Sequence, residues 1–159
     1  MISYKPSRCN NAHIVLPLLL ILAGVVAILG STGIKVFVPA VLQGIGVLLF
    51  SIATYIINRY SLTTVYYTIG EDTPDLLCVH RITGNKKTTP VSVDLAKARS
   101  VTRMEEGFES QAKRRVNMCL NIFPRERVAI LFGEGTESTE LIIEADDIFF
   151  EQIRERIGG

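Results

Sequence analysis

With 159 residues, 17 Lys and Arg against 16 Asp and Glu, and a net charge of +1, the chain lacks the basic excess of a general nucleic-acid binder. The same length leaves room for one modest soluble domain beyond an apolar opening stretch. The three cysteines, Cys9, Cys78 and Cys119, show no CxxC spacing and supply neither a disulfide framework nor a cysteine metal motif.

Residues 1–13 read as a short tail carrying Lys5, Arg8 and Cys9. Two uncharged runs follow, of 21 residues between His13 and Lys35 and of 23 between Lys35 and Arg59. A helix needs about 20 apolar residues to cross the hydrocarbon core, and helix is the form that satisfies its own backbone there. Residues 14–58 are therefore expected to form a transmembrane helical hairpin, with helices over about 14–31 and 35–58. Gly30-Ser31-Thr32-Gly33 suits a tight turn. Pro17 and Pro39 lie near the helix starts, and Tyr55 and Tyr60 suit the headgroup level. Ala23 and Ala27 on the first helix are expected to face Gly44 and Ala40 on the second, since small residues let helices approach in lipid. Gln43 is expected to bond a neighbouring helix. Two helices without intramembrane charge make a poor pore or pump.

Lys5, Arg8 and Arg59 outweigh Lys35, which predicts a multi-pass protein of the cell membrane with both termini cytoplasmic. Read alone, the first run is also compatible with a signal peptide cleaved near Ser31 and Gly33; the immediate second run favours an uncleaved hairpin. Cys9 reads as an ordinary tail cysteine, and acylation there would need a eukaryotic host.

From Leu62 the hydrophobic period shortens to two. Strands are expected over Leu62–Gly70, Leu76–Thr83, Thr88–Val93 (with Pro90 marking an edge or bend, and Ala98–Met104 continuing or restarting the strand), Val116–Phe123, Val128–Phe132 and Glu140–Glu144. Glu71–Asp75, Gly84-Asn85, Pro124–Glu126 and Gly133–Gly135 supply turns, and Glu105–Arg115 reads as a long polar loop. Asp146 is expected to cap a short amphipathic helix with Phe149, Phe150, Ile153 and Ile157 on one side. Residues 60–159 thus form a mainly-β domain: a bent antiparallel sheet or open barrel closed by a C-terminal helix.

Strands in successive hairpins, then one amphipathic helix carrying Phe149-Phe150 and Ile153, resemble a pleckstrin-homology-type (PH-like) domain. Its place behind two membrane helices is similar to bacterial membrane proteins with a PH-like domain. The resemblance covers residues 62–158 and rests on the order of elements. It implies an adaptor for lipid or protein surfaces and carries over no binding residue.

Lys113-Arg114-Arg115 and Lys86-Lys87 are the candidate contacts for a protein partner or anionic headgroups. Helix capping accounts for Asp146 and Asp147, and His13 and His80 lack metal-ligand spacing, so no metal, cofactor or catalytic residue is assigned. G-x-S-x-G, P-loop and dinucleotide motifs are absent. The expected function is a non-enzymatic, membrane-anchored adaptor or regulatory protein that contacts the bilayer and a protein partner; the alternatives are anionic-headgroup sensing through the basic loops and a small membrane enzyme.

Overall fold

Apolar side chains run all the way round the two N-terminal helices, so neither has a polar face to turn to water. In the computed structural model, which describes residues 1–31, 39–105, 107–110, 112–133 and 138–157, these are α1 (Ala12–Gly30) and α2 (Pro39–Ile56). Thr32, Gly33, Lys35, Glu106, Glu134 and Gly135 lie outside the described residues. A π turn, Ile57–Ser61, extends α2 and is closed by the Leu62 N–H donating to the Ile57 carbonyl at 3.0 Å. Both helices are long and apolar enough to cross a membrane, yet only 17% and 11% of their most apolar windows are buried. A core helix pair would bury most of that surface.

The chain divides into two units, Asn10–Thr63 and a β unit of residues 1–9 with 64–159. Within the helical unit the close approach is at Gly24 and Gly46. A Cβ on Gly46 would stand 2.5 Å from Ile28 Cγ1 and 3.0 Å from the Gly24 carbonyl oxygen. Nothing lies within 4 Å of the corresponding position on Gly44. Ala23, Ala40 and Gly44 are exposed and Ala27 is half-buried, which corrects the expected facing arrangement. Each residue step turns a helix by about 100°, so with Gly24 at the contact Ala23 is turned to its flank. The bulk of Ile28 and Phe50 beside the glycines selects the face. Gln43 does reach across, Nε2 donating to Ser31 Oγ at 3.5 Å. Pro17 sits inside α1 and lacks the N–H that would bond the His13 carbonyl; the Ser61 hydroxyl donates there instead, at 2.7 Å.

The β unit holds two four-stranded sheets and no closed barrel among its described residues. The first runs β1-β2-β3-β4 across the sheet, from Ile2–Tyr4, Thr63–Ile69, Leu76–Thr83 and Lys86–Asp94. The second is ordered β5-β7-β8-β6, from Ala98–Arg103, Arg127–Phe132, Thr139–Glu144 and Arg114–Asn117. Two features depart from the sequence reading. The opening residues are not a tail: β1 pairs antiparallel with β2 (Ile2↔Ile69, Tyr4↔Tyr67). Tyr4 stacks on Phe149 at 4.8 Å, which gives that strand its apolar anchor. And β6 runs parallel to β8, so the second sheet is mixed.

Alternation carries the core. Val65, Tyr67 and Ile69 of β2 and Leu77 and Val79 of β3 point inward with Leu141 and Ile143 of β8. The strand expected over Val116–Phe123 ends at Asn117 because side chains take its backbone donors. Asn117 Oδ1 accepts from the Cys119 N–H at 2.9 Å, and Glu144 Oε1 from the Asn121 N–H at 2.6 Å. The chain closes on α3 (Asp147–Arg154), capped by Asp146 Oδ1 accepting from the Phe149 N–H at 2.8 Å. Phe149, Phe150 and Ile153 are buried, while Ile148, Glu151 and Arg154 are exposed.

Candidate functional site

Among the basic residues singled out, Lys86 and Lys87 open β4, an edge of the first sheet, and both are exposed. Lys113 and Arg114 are exposed at the start of β6, an edge of the second sheet. The fold therefore distributes the two groups over two sheets. Arg115 is exposed as well, but its guanidinium is engaged. Its Nε donates to Glu140 Oε2 at 2.9 Å, and the same oxygen accepts from Ser110 Oγ at 2.9 Å. Glu140 is only 2% exposed, so this arginine answers a buried carboxylate, and that pairing competes with any headgroup contact.

A polar cluster around His80, to which the sequence reading gave no role, lies on the opposite face of the first sheet from the core. Alternation along β3 turns Cys78 and His80 to that face, and Thr68 of β2 lies beside them. Between Val79↔Val91 and Arg81↔Thr88 the register slips, leaving Thr89 and Pro90 opposite His80. This is a β-bulge at Pro90, which has no N–H to give the ladder, on an edge strand. The bulge brings Thr89 Oγ1 to 2.9 Å from His80 Nδ1. On the other side, His80 Nε2 lies 2.7 Å from Glu71 Oε2 and 2.8 Å from Thr68 Oγ1. Thr68 donates its hydroxyl to Glu71 Oε2 at 2.9 Å. Tyr66 covers the imidazole with ring centroids 4.6 Å apart, and the Lys87 ammonium lies 5.4 Å from the Tyr66 centroid.

The electrostatics follow from these contacts. Hydrogen bonds from Thr68 and His80 hold the Glu71 carboxyl below its ordinary pKa, with the charges of His80 and Lys87 adding to the effect. Burial, then the charges of Glu71 and Asp72, push the Cys78 thiol up. The thiol is thus kept protonated, and as a free group it is a poor nucleophile. The side-chain donor atoms of Glu71, Cys78 and His80 lie within 4.8 Å of one another. The signal in the sequence was Cys78-x-His80 in a strand. Glu71 could not be added because its position depends on the turn between β2 and β3.

A second feature is an open groove of about 660 Å³ beside β5, lined by Val101, Arg103, Glu105, Phe108, Phe150 and Arg154 among others. Phe108 comes from the loop between β5 and β6 and Phe150 from α3. Arg103 bridges Asp147 and lies over the Phe150 ring at 4.6 Å.

Comparison with protein-family models, curated proteins and solved structures finds no match to this chain.

Proposed function

We propose that this chain is a non-enzymatic adaptor of the cell membrane whose PH-like β unit holds a protein partner at the bilayer surface. The observation that carries the reading is the pairing of β1 with β2 in a chain whose intervening helices are apolar all round. Residues 1–9 and 64–159 share one folded unit, so the helices between them must cross an even number of times. That supports an uncleaved, two-pass hairpin with both termini on one side, and the Lys and Arg balance favours the cytoplasm. The PH-like reading is supported by hairpin-linked strands in two sheets followed by a single amphipathic helix.

The groove beside β5 is the surface best suited to a partner. Its volume falls in the range of about 300–1,000 Å³ that binding clefts occupy, and it sets Val101, Phe108 and Phe150 among arginines. Glu105, Gly107 and Phe108, from the segment between β5 and β6, form one of its walls. Tethering raises the local concentration of whatever binds there, which is the physical benefit of an anchored adaptor. A photo-crosslinker at Thr102 in native membranes is expected to capture one protein, with the product lost in Phe108→Glu. Crosslinking unchanged by that substitution would remove the groove from the account.

A lipid reading keeps a narrower basis. Lys86, Lys87, Lys113 and Arg114 remain exposed, each contributing roughly 1 kcal/mol near an anionic surface. If headgroups are contacted, neutralising Lys113 and Arg114 should weaken vesicle binding more than neutralising Arg115, which is already paired.

A further inference from the structure

We propose that Glu71, Cys78 and His80 form a three-ligand site for a borderline-soft divalent cation of the zinc class, on the outer face of the first sheet. This inference stands apart from the adaptor reading and rests on the convergence of three donor types on one point. Carboxylate, thiolate and imidazole are the donors that zinc-class ions take together, and softer thiolate selects against magnesium and calcium. Their donor atoms already lie within 4.8 Å of one another. Ligand bonds of about 2.0–2.3 Å at tetrahedral angles require separations of about 3.3–3.7 Å. The 2.7 Å contact between Glu71 and His80 must therefore open and the approaches of the thiol tighten, each by on the order of an ångström. Glu71 can supply that movement, because it stands in a turn with its side chain 34% exposed, whereas His80 is fixed in the sheet.

The surroundings are arranged for ligation. With Nε2 on the metal, the imidazole carries its proton on Nδ1, where Thr89 Oγ1 at 2.9 Å accepts it and fixes the ring. The bulge at Pro90 exists in this fold to the effect of placing that hydroxyl. Thr68 Oγ1 or a solvent oxygen completes a fourth position. Charge balances as well: binding releases the Cys78 proton to solvent, and one thiolate, one carboxylate and one neutral imidazole cancel a dication. Tyr66 shields the site on one side, and the exposed flank at Glu71 gives access.

The test uses the full chain in detergent, with Cys9 and Cys119 changed to serine so that Cys78 is the one thiol present. Titration with Co²⁺ is expected to give a 1:1 thiolate-to-cobalt charge-transfer absorption, displaced by Zn²⁺. Cys78→Ser is expected to abolish the band. Glu71→Gln, at an exposed turn position, keeps the test open if Cys78→Ser fails to fold; it is expected to weaken Co²⁺ binding by at least about tenfold. No thiolate band in a cooperatively melting protein, or an affinity unchanged by Glu71→Gln, would overturn the site.

Discussion

Arg115 was grouped by sequence with Lys113 and Arg114, but its guanidinium belongs to Glu140, a carboxylate 2% exposed. Removing the cation leaves that carboxylate, among the described residues, to the Ser110 hydroxyl. Arg115→Ala is expected to cost about 2 kcal/mol, below the full penalty for a broken buried pair because the arginine itself is partly exposed. A thermal melt of the detergent-purified chain would read it, with Arg114→Ala as the near-neutral control. Glu71 gives a pH signature. Its folded pKa is depressed, so its contribution is fully present above the unfolded carboxylate value of about 4.3 and is lost as pH falls through the depressed one. The stability gap between the wild type and Glu71→Gln should accordingly be constant near neutrality and close in acid, below about pH 4. A gap that widened on acidification would contradict the assignment of those hydrogen bonds.

At the level of elements, the two helices test which small residues matter. Gly46 has no room for a methyl group, with Ile28 Cγ1 at 2.5 Å from its ideal Cβ, while Gly44 has nothing within 4 Å. Gly46→Val should destabilise the hairpin by about 1–3 kcal/mol, the usual range for overpacking, and Gly44→Val should not. Disulfide crosslinking between cysteines placed on α1 and α2 would separate the two. The sequence could announce both helices, because two successive long runs without charge stand out, but not their contact face. Ala and Gly occur on several faces, and bulky neighbours decide which is used. The strands from Thr63 to Asp94 were legible for the same reason that they are stable: inward Val65, Tyr67, Ile69, Leu77 and Val79 recur at period two. Two elements escaped that logic. At three residues, β1 is too short to show a period. The chain after Asn117 alternates as a strand does, yet Asn117 and Glu144 capture its N–H groups and turn it away. The His80 cluster was half legible, since alternation places Cys78 beside His80, whereas Thr89 and Glu71 reach it through a bulge and a turn.

For the whole molecule, the proposed arrangement turns on how firmly residues 1–9 are held to the β unit. Asn121 grips them as a neighbouring strand would: its Oδ1 accepts from the Cys9 N–H at 3.2 Å and its Nδ2 donates to the Ser7 carbonyl at 2.9 Å. Glu144, 4% exposed, orients that amide by accepting from Nδ2 at 2.6 Å. Tyr4 adds its stack on Phe149. These contacts join the segment before α1 to the domain after α2, and a membrane between them would break every one. Tags at the two termini should therefore be reached by protease from the same face of sealed vesicles. Loosening the grip makes the point graded: Asn121→Ala removes both bonds and leaves Glu144 short of a donor, and should cost about 1–3 kcal/mol. Trypsin cleavage after Arg8 should then quicken while the helices remain resistant to alkaline extraction. Tags on opposite faces, in protein whose β unit is folded, would unpair β1 from β2 and leave the two-pass hairpin without its physical basis.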